Sequence, residues 1–382
     1  MRVFFVVTHL LGSGHLSRTL VLARAHLKAG HEVTLVSGGM PVPHLFHDGI
    51  TWVQLPALRS DGVNFTRLLD DKGDVASETL MRDRRDKLLS TFEEAAPDVL
   101  VTELFPFGRR SLSDEFLALL KTARARKNPP RICCSIRDIL APPSKPSKAA
   151  RVRDIIAEFY DAIIVHSDPD VTPLAASWPV TEDISEKLRY SGFVANPPAP
   201  MHPDALGQGD ILVSAGGGAV GDALYAAALG AAKRDGDLHW RVLVGGADAP
   251  AKCAALKELC PANATIEPAR PDFRQMLHRA KASVSMCGYN TALDILQAGT
   301  PAVFVPFDAG GEVEQSLRAS ALAKIAGIRV VNSVDLQAET LLNTVYSVVQ
   351  DPRRDPQTQG LEGANRTVEL LETLVKAPSH AG

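Results

Sequence analysis

Short runs of consecutive apolar residues alternate with longer stretches of helical spacing along most of this chain. The first run, residues 3–7, leads into a turn at Gly12-Ser13-Gly14, a helical pattern over 15–29, and a second run over 32–36 that ends in Ser37-Gly38-Gly39. The same order returns about half a chain later. A run over 211–214 precedes Gly216-Gly217-Gly218, a helical pattern over 222–233, and a run over 240–244 that ends in Gly245-Gly246. Further runs fall at 99–102, 132–136 and 162–165 in the first half, and at 282–286, 302–306 and 328–331 in the second. A sheet with one wet face would alternate apolar and polar residues. Near-continuous Val/Ile runs between helices instead predict parallel strands covered on both faces. Two β-turn-α-β openings therefore predict an α/β protein with two Rossmann-like, doubly wound domains.

The break between them is marked by Ser191-Gly192-Phe193-Val194-Ala195-Asn196-Pro197-Pro198-Ala199-Pro200, where proline and glycine disfavour both helix and central strand. The expected domains are 1–192 and 207–360, joined by a linker over 193–206. Residues 361–382 are expected to supply a helix over 363–376 that returns to the first domain, then a disordered tail. Residues 57–75 show no period and read as an active-site loop, and 141–148, with three prolines, as a mobile one.

Composition narrows the class without naming a function. Length suits two domains, 45% apolar and 22% charged residues suit a soluble globular protein, and a net charge of −3 argues against general nucleic-acid binding. Residues 116–153 carry ten Lys/Arg against one acid, Asp138, which reads either as a solvated face or as a surface for peripheral membrane contact. Five cysteines with no C-x-x-C spacing read as reduced thiols of a cytoplasmic protein. The apolar start contains Thr8 and His9 and runs into a glycine turn, so it reads as a buried strand rather than a secretion signal. No apolar stretch approaches the roughly 20 residues of a membrane span.

The chemistry concentrates at Cys287-Gly288-Tyr289-Asn290-Thr291 and Asp294. A glycine turn after a strand opens a helix whose first N–H groups lack partners, a terminus that attracts phosphate. Asp294, one turn on, is placed to accept from hydroxyls of the phosphate's carrier, and Glu314-Gln315 follows the next apolar strand. This spacing resembles the donor-binding signature of inverting GT-B glycosyltransferases, whose best-known form reads H-C-G-W-N-S-x-x-E and then D/E-Q. The resemblance implies Asn290 and Thr291 on the diphosphate, Asp294 on the ribose, and Glu314 and Gln315 on the sugar. Two departures stand out: Met286 replaces the usual phosphate-binding His, and Asp294 is one methylene shorter than the usual Glu. Gly216, Gly217 and Gly218 form either a plain tight turn or a second cradle for the same diphosphate, comparable to the glycine-rich loop of MurG-like, family 28-like enzymes. Arg270-Pro271-Asp272-Phe273 lies where that family places its base-binding turn.

In the first domain, Gly12-Ser13-Gly14-His15-Leu16-Ser17-Arg18 resembles the G-x-G-H loop of the same superfamily. His15 is a candidate to take the acceptor hydroxyl's proton, against a plainer role as helix cap or phosphate contact. Arg18 either meets phosphate or faces solvent. Glu103, with Phe105 to Arg110, then Arg137-Asp138, and His166 lie at strand C-ends, where doubly wound sheets bind ligands. They are acceptor-site candidates, with Glu103 or Asp138 as alternative bases. The pattern resembles a little-characterised bacterial branch of MurG-like predicted glycosyltransferases. It implies a GT-B fold with the two domains facing each other across a cleft. It also implies inverting transfer from a UDP-sugar, UDP-GlcNAc among the candidates, to an acceptor hydroxyl in polysaccharide, glycolipid or secondary-metabolite synthesis. The alternative is a UDP-sugar 2-epimerase or sugar-nucleotide hydrolase on the same fold. Asp168-Pro169-Asp170 and Asp235-Gly236-Asp237 match a metal-binding D-x-D only weakly, and no metal or other cofactor is expected. The setting implied is cytoplasmic, or peripheral at the inner membrane face.

Overall fold

The computed structural model describes all residues except 44, 61–66, 217–219, 247, 309–311, 358 and 378–382. It contains two compact units: residues 1–195 with 360–382, and residues 196–359. Gly217 and Gly218 of the glycine turn and the tail after Ala377 lie outside the described residues.

In the first unit eight strands form one sheet. These are β1 (Arg2–Val7), β2 (Glu32–Gly39), β3 (Thr51–Ser60), β4 (Leu68–Leu69), β5 (Val99–Glu103), β6 (Arg131–Arg137), β7 (Ala162–His166) and β8 (Leu188–Tyr190). The order is β4-β3-β2-β1-β5-β6-β7-β8. Every pair is parallel but β3–β4. The helices are α1 (Gly14–Lys28), α2 (Glu78–Ala95), α3 (Ser113–Ala125), α4 (Pro146–Phe159) and α5 (Glu182–Lys187).

The unbroken apolar run of β1 has a direct cause. Phe4 and Val6 pack with Phe92 of α2 and Phe116 of α3, while Val3, Phe5 and Val7 pack with Leu16 and Leu20 of α1. Each face of the strand feeds a separate core.

The expected loop at 57–75 is corrected on either side of residues 61–66, which lie outside the described residues. Residues 57–60 continue β3, and Leu68–Leu69 pairs back on it as an antiparallel edge. Pro56 hid the strand, because proline interrupts a ladder. The pairing with β2 skips at that point, from Ser37↔Gln54 to Gly39↔Leu58, so proline sits where the register already shifts.

The second unit has six parallel strands: β9 (Asp210–Ser214), β10 (His239–Val244), β11 (Ala264–Pro268), β12 (Ala282–Ser285), β13 (Ala302–Phe304) and β14 (Ile328–Val330). Their order is β11-β10-β9-β12-β13-β14, the doubly wound arrangement of a dinucleotide-binding sheet. Its helices are α6 (Asp222–Arg234), α7 (Ala249–Lys257), α8 (Phe273–Leu277), α9 (Tyr289–Ala298), α10 (Glu314–Leu322) and α11 (Ala338–Val349).

The last helix, α12 (Gly363–Lys376), belongs to the first unit and packs Leu371 into the α1 core. Its entry is fixed by Gly363 N–H donating to Phe193 O at 3.0 Å. A Cβ at Gly363 would lie 2.4 Å from Gly192 O, so only glycine permits this crossing.

Winding reverses between β1 and β5 in the first sheet, and between β9 and β12 in the second. Ligands of doubly wound sheets bind outside the strand C-ends at such points. Four of the cations in 116–153 have acidic partners: Arg124 and Arg131 meet Asp161, Arg126 meets Glu93, and Arg153 meets Asp154. The basic run is therefore partly neutralised rather than one open face. Among the described residues no helix is long and apolar enough to cross a membrane.

Candidate active site

At the first reversal, the loop after β1 meets the end of β5. Ser13 is the N-cap of α1 but makes no side-chain cap bond, and Gly12 and Gly14 are exposed, so the helix opens with free N–H groups. His15 in that first turn places Nδ1 2.8 Å from Oε1 of Glu103, the last residue of β5. Glu103 is buried (3% exposed). It also accepts from the Arg18 guanidinium, and from Ser135 Oγ on β6 at 2.7 Å. Burial pushes its carboxyl pKa up. Arg18, His15 and Ser135 together outweigh that and hold it at about 2.

The protons along this chain follow. A Glu103 carboxylate only accepts, so His15 carries its hydrogen on Nδ1 and keeps the Nε2 lone pair. Ser135 donates to Glu103, so it accepts from His166 Nε2–H at 2.9 Å, and His166 Nδ1 accepts from Ser191 Oγ at 2.8 Å. Burial, reinforced by the neighbouring arginine charges, pushes His15 down to about 3 against the Glu103 interaction. The ring is neutral at physiological pH. Its side chain remains 15% exposed.

Several sequence expectations change here. Glu103 does not read as the base, because its buried carboxylate is already engaged by His15, Arg18 and Ser135; it orients His15. Arg18 neither faces solvent nor stands open to phosphate: it is 2% exposed and is the buried counter-charge of Glu103. His166 is fully buried on β7 and reaches His15 only through Ser135 and Glu103. Asp138 is buried at the end of β6, beside the partly exposed Arg137. Arg109, in the segment after β5, has left-handed backbone (φ 59°), and its Nε donates to Thr8 O at 2.5 Å. No pattern announced Ser135 or Ser191, since a serine in a buried strand carries no periodic mark.

At the second reversal, β9 ends at Ser214, whose Oγ accepts from Gly216 N–H at 3.1 Å, and Gly216 adopts φ 78°. Beside it, β12 leads to Gly288, the N-cap of α9, which provides no side-chain cap. The helix begins at Tyr289, directly after that glycine, so Asn290 and Thr291 lie within its first turn. Both are partly exposed, and the helix N-terminus carries unpaired N–H groups with partial positive charge. Arg318 of α10 donates to Cys287 O at 2.8 Å and lies over the Tyr289 ring, which puts a cation under this turn. Sequence inspection missed it.

Asp294 accepts from Arg274 Nε at 2.7 Å through Oδ1. Burial pushes its pKa up, Arg274 pulls it back, and it rests at about 6. Gln315 Oε1 accepts from Phe307 N–H at 3.1 Å, leaving its amide N–H₂ for a ligand, and Glu314 beside it is buried. The side chain of Arg270 is committed to Asp272 and Glu267, so only the backbone of this turn, up to Phe273, remains for a base. Both D-x-D patterns are turns: Asp168 Oδ1 accepts from Asp170 N–H, and Asp235 accepts from Asp237 N–H, Trp240 and Tyr346.

Two doubly wound units with a glycine loop at each reversal define the class: this is the fold of the GT-B glycosyltransferases. The kitacinnamycin glycotransferase superimposes with a TM-score of 0.66 over 98% of this chain and 99% of its own, at 15% identity. Acinetobacter baumannii MurG does so with 0.58 over 97% and 99%, at 17% identity. Residues 213–373 match the Glycosyltransferase family 28 C-terminal domain. The chain is 34% identical over 115 residues to the UDP-N-acetylglucosamine--N-acetylmuramyl-(pentapeptide) pyrophosphoryl-undecaprenol N-acetylglucosamine transferase of Sinorhizobium medicae (strain WSM419). That match covers 28% of this chain and 30% of the relative. The transferase of the same name from Rhizobium johnstonii is 29% identical over 128 residues, 33% of each chain. The match thus spans about a third of the length of these curated relatives.

Proposed function

We propose that this protein is an inverting glycosyltransferase that moves a sugar from a UDP-linked donor to an acceptor hydroxyl without a metal ion, with UDP-GlcNAc as the first donor to test. The observation that carries the reading is the His15–Glu103 pair: a neutral imidazole, fixed by a buried carboxylate, with Nε2 left as a base. The family 28 match over 213–373 and the printed activity of the relatives support the donor class.

In this reading the acceptor hydroxyl attacks the anomeric carbon. The C1–O bond to the diphosphate breaks, and the hydroxyl proton passes to His15 Nε2. Charge that develops on the leaving diphosphate meets the N-terminus of α9 with Asn290 and Thr291, where prearranged N–H dipoles stabilise it most. Asp294 accepts from the ribose, Glu314 and Gln315 hold the sugar, and the turn ending at Phe273 meets the base. A direct displacement needs one base and one stabilised leaving group, so no covalent intermediate forms. The donor class puts the reaction in the cytoplasm, where exposed Lys145 and Arg151 and the partly exposed Lys148 are available to an anionic membrane face.

The test is acceptor-dependent release of UDP from UDP-GlcNAc, with bacterial lipid and polysaccharide fractions as acceptors and EDTA present throughout. The reading expects UDP release only with an acceptor, undiminished by EDTA, and a β-linked product from the α-configured donor by NMR. An α-linked product, or turnover that needs no acceptor, would contradict it.

A further inference from the structure

Arg274 does two jobs with one guanidinium. Its Nε donates to Asp294 Oδ1 at 2.7 Å, while Nη2 donates to Pro197 O at 2.7 Å and to Gln297 Oε1 at 3.0 Å. Gln297 passes the tie onward, donating from Nε2 to Asn196 O at 2.9 Å, and His278 Nε2 holds Ala199 O at 2.7 Å. The segment concerned is Asn196-Pro197-Pro198-Ala199-Pro200, at the start of the second unit. Three prolines leave it only the Asn196 and Ala199 N–H donors, and its carbonyls are what α8 and α9 grip.

We propose that Arg274 is a positioning residue for the donor nucleoside: by fixing Oδ1 of Asp294 and the Pro197 carbonyl in one fork, it presents Oδ2 alone to the ribose hydroxyls and makes the 196–199 segment part of the donor site. The inference rests on the reading of Asp294 as the ribose acceptor given under Proposed function. Three observations favour it. Oδ1 is engaged by a charged donor, whereas Oδ2 has no hydrogen-bond partner among the described residues. The aspartate is one methylene shorter than a glutamate, so a partner that locks its rotamer matters more here. The flat fork of arginine can bridge a carboxylate and a carbonyl at once, which a lysine ammonium cannot do with fixed geometry.

Arg274 also keeps Asp294 ionised. Burial drives this carboxyl up, and Arg274 is the charged group that opposes it; His278, the residue just past the end of α8, is engaged with Ala199 O. A carboxylate is needed to accept from a diol, so donor binding by the native protein weakens as pH falls through about 6. Removing Arg274 must move that midpoint upward.

The experiment measures the affinity of UDP-GlcNAc, and of its 2′-deoxyribose analogue, by calorimetry from pH ~5 to ~8, a range in which the diphosphate diester does not titrate. Full-length wild type, Arg274→Ala and Arg274→Lys are compared, with melting curves to check folding. The proposal expects wild type to prefer the ribonucleotide at least tenfold, with an acid midpoint near 6. Arg274→Ala should lose most of that preference and shift its midpoint upward. Arg274→Lys should restore the midpoint but not the full preference. If wild type binds but does not distinguish the two sugars, the ribose reading of Asp294 fails. If wild type discriminates and Arg274→Ala keeps both preference and midpoint, the Arg274 proposal alone is overturned. Arg274→Ala that is merely less stable, with unaltered preference and midpoint, counts against it equally.

Discussion

A carboxylate that accepts from His15, Arg18 and Ser135 together is committed to holding those side chains, so Glu103 acts through its neighbours. His15→Ala should therefore leave donor affinity unchanged while lowering kcat about 10²–10⁴-fold, the usual worth of a placed general base; comparable losses in donor binding would move His15 to a phosphate-contact role. Glu103→Gln should be worse for stability than for binding. It leaves Arg18 buried without its counter-charge, a change that costs roughly 3–5 kcal/mol in comparable buried pairs, readable in urea unfolding. The histidines also set an acid limit. Burial, the leading cause in each case, holds His15, His26 and His166 at about 3, against 6.5 for a free side chain. Unfolding lets them take up protons. Their contribution to stability is thus complete above pH 6.5 and is lost as pH falls toward 3, by at most about 1.4 kcal/mol per pH unit for each ring. Glu103, with its depressed pKa, adds loss in the same direction below 4.5. Melting of the first unit should fall steadily from pH 7 to 4; a flat profile would show that these rings are not neutral by burial.

Among the elements, α9 depends most on a single residue at its end. Gly299 ends it with φ 67°, and a Cβ there would lie 2.3 Å from Arg354 O. Gly299→Ala should destabilise the second unit by roughly 2 kcal/mol or more, since left-handed strain and a backbone collision add; an unchanged melting temperature would refute this account of the cap. Elements of this kind were legible in sequence because their marks are local. Continuous Val/Ile runs gave the parallel strands, and the turn at Gly12-Ser13-Gly14 gave the start of α1. Strand β3 was not legible, because Pro56 masks a pattern that only pairing with β2 explains. The first turn of α9 is less plain from residue type: Tyr289, Asn290 and Thr291 are weak helix formers, and the helix includes them because Gly288 turns the chain off the end of β12. The site was half legible. His15 and Asn290 follow glycine turns, whereas the partners Arg18–Glu103 and Arg274–Asp294 are separated by 85 and 20 residues, and no local rule links them.

At the scale of the whole chain, the same device occurs twice. Each unit places a glycine loop and an uncapped helix start at the point where its sheet reverses direction, once with a base and once with a diphosphate-type terminus. That division of labour is the central claim, and it makes donor binding a property of the second unit alone. The most direct measurement is a calorimetric titration of UDP-GlcNAc into wild type, His15→Ala and Asn290→Asp. Asn290 is partly exposed, so the added charge should be tolerated by the fold while repelling a diphosphate. The account predicts saturable binding to wild type, equal binding to His15→Ala, and at least a tenfold loss in Asn290→Asp. Binding that is indifferent to the charge at Asn290, or that disappears with His15, would contradict it.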